Sequence, residues 1–362
     1  MARLQTPANL QTLFSQALKN FQQSESTFRV LCSIPSSAAS SENQNATDGD
    51  PLSSGSPPKV SPKYILVLDS SFNPPTLAHQ RMALSALSDP RYRSNAVIQV
   101  AGAKKELKGR MEMDETSRVL LLLAINNADK APKPAAFPER LAMMYIFAHE
   151  LLKASAAQSE AQAQIQTQPT DIGVLNPTTT PVTACRAVDI AVTTEPYFFS
   201  KSLAIATSDW YTGAEARRNS IVSTDNAADS EQIYLTGFDT LIRIFDPKYY
   251  PDNSMKRSLD PLFAYSRLTV TMRTDDSWGD ESSQLEYLEG LKEGGKLVEV
   301  GGRREWADRI EMVKGREEGE EVVSSTKVRD AVKRKDWDAL GRLVSQDIVA
   351  WIRERELYAE EG

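Results

Sequence analysis

The chain has 362 residues, a formal net charge of −7, 41% hydrophobic and 7% aromatic residues, enough apolar material for a sizeable core in one large α/β domain or two average ones. An acidic balance argues against nucleic acid as a partner, because that affinity rests largely on Lys and Arg neutralising phosphates. The longest apolar run, Val119 to Ile125, is far short of the roughly 20 residues that cross a bilayer, so no membrane partner is expected.

The opening residues interleave apolar side chains with Gln and Asn instead of forming the apolar segment of a secretory signal. Cys32 and Cys185 fall in no metal or redox spacing, so free thiols and a cytoplasmic or nuclear location are expected. Leu10, Leu13, Phe14, Leu18 and Phe21 recur at helical spacing and predict an amphipathic helix over 8–22, docked on the core. A short strand over 28–34 completes an N-terminal unit, 1–34. The stretch 35–62, dominated by Ser, Pro, Asn and Gly, predicts a disordered linker, and 63–358 forms the main domain.

Buried strands are predicted at 64–68, 119–125, 188–192, 233–235, 268–272 and at either 297–300 or 310–313. Helical patterns over 76–88, 137–152 and 240–245 separate several of them. That alternation implies an α/β doubly wound parallel sheet. Polar stretches at 154–183 and 213–230 predict mobile insertions, and 324–358 predicts two or three helices broken near Asp336 and 345–347.

Three segments could carry chemistry. Asp69-Ser70-Ser71-Phe72-Asn73-Pro74-Pro75-Thr76 follows the first buried strand and leads into a helix, the address at which open α/β sheets bind anionic ligands. Asn73 is the expected N-cap, with His79 on the opening turn. A cationic His there opposes the helix dipole, a penalty that an anionic ligand would remove. Ser324-Ser325-Thr326-Lys327-Val328-Arg329 opens the C-terminal helices with two cations where acids are usual, a pattern that suits a polyphosphate. Thr236-Gly237-Phe238-Asp239 places a glycine for close backbone approach before an acid able to accept from ribose hydroxyls. His149, the other histidine, falls within a helical pattern and reads as structural.

Together, in this order, the three segments resemble the nicotinamide mononucleotide adenylyltransferases of the nucleotidyltransferase superfamily. Asn126 to Lys130 and Thr269 to Trp278 are similar to a divergent fungal branch of that family, and the likeness covers roughly 63–358. The resemblance implies a Rossmann-like sheet with a helical C-terminal segment. It also implies adenylyl transfer from ATP to nicotinamide mononucleotide, giving NAD and pyrophosphate, with Mg²⁺ bound mainly through the phosphates and no protein metal site. It assigns catalysis to His79, Lys327 and Arg329. ATP is assigned to Ser70, Ser71, Phe72, Thr76, His79, Gly237, Asp239, Ser325, Thr326, Lys327 and Arg329. The nicotinamide-nucleotide side is assigned to Asn126, Tyr249 and Arg273, the last reaching towards adenine. A homo-oligomer is compatible with all of this.

Ser70 stands where the family carries Gly, and Phe238 where it carries a small residue. The residues leave open transfer to another phosphorylated acceptor, ATP hydrolysis, or a nucleotide-binding adaptor in regulation or protein quality control. Every enzymatic reading requires the two helix openings, at 79 and 329, to converge in space.

Overall fold

The computed structural model describes residues 6–36, 52, 57–58, 61–92, 117–126, 134–166, 185–211, 230–250, 254–273, 278–293, 295–316 and 320–359. Most of the predicted linker, residues 167–183 and the 213–229 insertion lie outside the described residues.

The strands are β1 (Phe28–Pro35), β2 (Tyr64–Asp69), β3 (Ser117–Ala124), β4 (Ala187–Thr193), β5 (Glu231–Gly237), β6 (Ser266–Thr271) and β7 (Ile310–Val313). They form one seven-stranded sheet in the order β1-β4-β3-β2-β5-β6-β7. From β4 to β7 every neighbouring pair is parallel, and β1 runs antiparallel beside β4. The parallel strands have the doubly wound Rossmann-type order, in which the winding reverses between β2 and β5.

The helices are α1 (Leu10–Gln22), α2 (Leu77–Ser88), α3 (Phe137–Gln166), α4 (Phe198–Ala206), α5 (Phe238–Ile244), α6 (Met255–Tyr265), α7 (Glu281–Lys292), α8 (Gly295–Glu299), α9 (Ser325–Lys333), α10 (Trp337–Leu343) and α11 (Gln346–Glu354). Alternation along the strands divides them between two faces. Leu66, Leu68, Val119, Leu121 and Leu123 pack with α1, α2, α3 and the C-terminal helices. Ile65, Val67, Leu120 and Leu122 pack with the helices from α4 to α8. Because both faces are covered, β3 reads as an unbroken apolar run. Leu120, Leu121 and Leu122 are all 0% exposed, each burial stabilising the fold by about 1.5–3 kcal/mol.

The N-terminal unit is part of this domain. Leu10, Phe14, Leu18 and Phe21 form the buried stripe of α1, which packs on α3. The edge strand is held by a buried polar network. Arg118 on β3 donates to Ser33 Oγ and to Asp189 Oδ1, both at 2.7 Å, and Tyr211 donates to Asp189 Oδ2 at 3.0 Å.

Two expectations need correction. Of the alternative last strands, 310–313 is the one in the sheet, whereas 297–299 belong to α8, whose Leu297 is buried on one side of a short helix. Helix α3 continues to Gln166, so the stretch expected as an insertion from 154 begins inside it. Its Ala and Gln residues are good helix formers, which the polar composition concealed.

Candidate active site

The parallel strands β2, β3, β4, β5 and β6 end at one edge of the sheet, and the loops leaving β2 and β5 meet there at the reversal in winding. From Asp69 the chain turns through 70–76 into α2. Phe72 takes a positive φ of 43°, and the Asn73–Pro74 peptide is cis. The N-cap of α2 is Thr76, three residues later than expected, and His79 completes a capping box with it.

That box defines the imidazole. The backbone N–H of Thr76 donates to His79 Nδ1 at 3.0 Å, and the Thr76 hydroxyl lies 2.8 Å from the same nitrogen. A backbone N–H can only donate, so Nδ1 accepts and the neutral ring carries its proton on Nε2. Nε2 lies 2.9 Å from Ser70 Oγ, to which it donates. Desolvation by burial pushes the His79 pKa down to about 4. The dipole conflict expected for a cationic His is therefore relieved by neutrality, without a ligand.

The opening of α9 joins the same loop. Ser324 is its N-cap, accepting from Lys327 N at 3.3 Å. Ser325 Oγ donates to Pro74 O at 2.8 Å. Arg329 Nη1 donates to Asn73 O at 2.8 Å, and its Nη2 to Thr326 Oγ1 at 3.1 Å. Thr326 and Lys327 are exposed at the helix entrance. Two helix N-termini and the side chains of His79 and Arg329 thus meet at one loop, with Lys327 on the first turn of α9, an arrangement suited to a polyanion.

At the end of β5, Gly237 caps α5, and a Cβ there would lie 2.7 Å from Asp239 Oδ1. Asp239 Oδ1 accepts from Arg273 Nη1 at 3.1 Å. Behind the β2 loop, Lys201 Nζ donates to Asp69 Oδ2 at 2.5 Å, with both side chains 7% exposed or less.

A Schizosaccharomyces pombe protein provisionally named a nicotinamide mononucleotide adenylyltransferase is 30% identical over 300 residues, 83% of this chain and 88% of its own. The chain belongs to the nicotinamide mononucleotide adenylyltransferase family. No protein-family model matches the sequence. Two solved structures of the Plasmodium falciparum nicotinic acid mononucleotide adenylyltransferase, complexed with NaAD and with APC, align at TM-scores of 0.37 and 0.35 with 11% identity, over 82% of this chain and 97% of theirs. The fold assignment rests on the strand order described above, not on those alignments.

In this nucleotidyltransferase Ser70, Thr76 and His79 form one hydrogen-bonded group, and Ser325 and Arg329, the latter bonded to Thr326, attach to the same loop through Pro74 O and Asn73 O. Phe72, which the resemblance assigns to ATP, has its side chain buried in the core. It is 0% exposed and packs against Phe147 and the His79 ring, because the left-handed backbone at that position turns it inward. Thr76 is 3% exposed with its hydroxyl on His79, so it acts on the imidazole from behind. Arg273 is joined to Asp239 at the β5 end of the site. Asn126 is exposed just beyond β3, and Tyr249 packs at the margin of the second-face core, neither within the hydrogen-bonded cluster around His79.

Sequence reading missed Lys201, although it is the sole charge in the apolar helix α4, itself a signal that a buried partner exists. It also missed Tyr358, 6% exposed, whose hydroxyl donates to Asn73 Oδ1 at 2.9 Å. No local pattern marks that tyrosine.

Proposed function

We propose that the protein transfers the adenylyl group of ATP to nicotinamide mononucleotide, forming NAD and releasing pyrophosphate. The observation that carries this reading is the convergence of two helix openings on one loop, with Arg329 bonded to Asn73 O and Ser325 to Pro74 O. Family membership and the name of the fission-yeast relative support the choice of acceptor.

An oxygen of the acceptor phosphate attacks the α-phosphorus. The bond from that phosphorus to the bridging oxygen breaks, and pyrophosphate leaves with the electron pair. Charge builds on the non-bridging oxygens and on the leaving group, so catalysis is positioning plus electrostatic stabilisation. Neutral His79 has one N–H on Nε2, and an α-phosphate oxygen beside Ser70 Oγ shares it. Lys327 and Arg329 hold the β- and γ-phosphates, together with Thr326, Ser325 and the N–H groups of α9. Gly237 lets backbone approach the nucleotide, and Asp239 accepts from a ribose, with Arg273 fixing its carboxylate. Ser71 and the backbone of Phe72 border the dinucleotide, and Asn126 and Tyr249 serve the acceptor side.

Among the described residues no cluster of three or more His, Cys, Asp or Glu side chains forms a cage. Asp69 and Asp239, at the strand ends, are each engaged by a cation. Mg²⁺ carried by the triphosphate would supply charge neutralisation beside Lys327 and Arg329.

The test is to incubate the purified protein with Mg²⁺-ATP and, separately, nicotinamide mononucleotide, nicotinate mononucleotide or no acceptor, and to identify the products. NAD and pyrophosphate in equal amounts are expected with the first acceptor. Phosphate and ADP alone, or product only with another acceptor, would reject the proposal.

Arg329→Ala removes a charge-assisted bond worth about 1.5–3 kcal/mol. We expect roughly a ten- to hundredfold fall in kcat/KM for ATP. Steady-state kinetics varying ATP checks this, and a variant within twofold of wild type would detach Arg329 from the phosphates.

A further inference from the structure

The end of the described chain folds back onto the loop that leads to His79. Trp351 on α11 and Arg355 at its C-cap lie four residues apart and so face the same way. Both grip Glu139 at the start of α3: Trp351 Nε1 donates to Oε2 at 3.0 Å and Arg355 Nη2 to Oε1 at 2.8 Å. Glu139 is only 7% exposed, so its charge is compensated inside the protein. Immediately afterwards the backbone reverses. Glu356 and Tyr358 adopt positive φ values of 50° and 67°, and Leu357 N donates to Ile352 O at 3.0 Å. Left-handed backbone costs a non-glycine residue on the order of 1 kcal/mol and persists where surrounding contacts impose it.

The reversal delivers the Tyr358 hydroxyl to Asn73 Oδ1, and Asn73 is itself 4% exposed. The carbonyl of the same residue takes Arg329. Two C-terminal elements therefore hold Asn73, one by its side chain and one by its backbone. Arg140, 5% exposed, lies within electrostatic reach of both Tyr358 and Arg329. Burial raises the Tyr358 pKa, so the phenol stays a neutral donor at working pH.

We infer that Tyr358 is a positioning residue for adenylyl transfer, which through Asn73 fixes the 70–76 loop and with it the direction of the His79 N–H. This rests on the reading that the loop carries the reaction. Without the phenol oxygen, a buried amide loses a donor and the loop shifts to recover one. A displacement of about 1 Å at a reacting centre can cost as much as a hundredfold in rate.

The experiment is Tyr358→Phe in the full chain, assayed by kinetics and by imidazole NMR. The sequence has two histidines, so His79 and His149 give two sets of ring signals, separable with a His149→Gln control. We expect kcat to fall roughly tenfold or more while the KM for ATP moves less than about threefold, because Lys327 and Arg329 remain. The His79 ring signals should move and those of His149 should not. In an Asn73→Ala background the same change should have little further effect, because its acceptor is already gone. Unchanged His79 signals, or equal displacement of both rings, would overturn the inference, the second pointing to general loosening. If the wild type makes no NAD, the functional reading fails, and the NMR arm still decides whether Tyr358 holds the loop.

Discussion

His79→Ala should slow adenylyl transfer by about a hundredfold or more, the usual cost of removing one preorganised donor to a developing oxyanion. The variant should remain folded. Its structural losses are the bonds of the ring to Thr76 N–H, the Thr76 hydroxyl and Ser70 Oγ, about 0.5–1.5 kcal/mol each, against a typical total stability of about 5–15 kcal/mol. Unfolding therefore cannot produce a hundredfold rate loss, and a denaturation curve measured beside the kinetics separates the two effects. Wild-type turnover by His79→Ala would remove the imidazole from the mechanism.

The pH dependence follows from the same ring. Its folded pKa lies near 4, below the ordinary 6.5, so His79 is neutral throughout the usual assay range. The rate of the wild type should show no step near pH 6.5 due to His79. Stability has a defined sign. Between pH 6.5 and about 4 the unfolded state binds a proton that the folded state refuses, so the neutral ring's contribution is complete above 6.5 and lost as pH falls towards 4. Denaturant unfolding at pH 7 and pH 5 should show a larger loss for wild type than for His79→Ala. An equal loss in both would contradict a neutral His79 ring in the folded state.

Lys201→Met should cost about 3–5 kcal/mol of stability, because it strands the Asp69 carboxylate inside the protein. The attraction alone does not set this figure. Breaking a buried pair leaves one charge without compensation, whereas replacing both members with apolar residues of similar volume is often nearly neutral. The double variant Lys201→Met/Asp69→Leu should therefore recover most of the lost stability. The denaturant midpoint reads both variants. A single variant within about 1 kcal/mol of wild type would show that Asp69 reaches water after all.

Much of the frame was legible along the chain. The apolar run of β3 and the alternation of strands with helices implied a covered parallel sheet, and the breaks at Asp336 and Ser345 fell where the structure places the N-caps of α10 and α11. Short-range signals have local causes, so they survive folding. The N-cap of α2 was misplaced at Asn73 because Asn and Thr are both good caps, and only the backbone bond to His79 decides between them. Helix α4 was missed because FFSKSLAIA is apolar nearly all round and carries no clear stripe.

Residue order by itself marked His79, Lys327 and Arg329 as lying in the opening turns of two helices, because Ser and Thr caps and their spacing are local signals. Only tertiary structure decided what holds them. Lys201 finds Asp69 across 132 residues, Arg329 finds Asn73 across 256, and Tyr358 finds the same asparagine across 285. No propensity or periodicity reaches that far. Those partners meet because winding reverses beside β2, which returns distant helices to one edge of the sheet, and because a buried charge or amide is stable only where another group completes its hydrogen bonds.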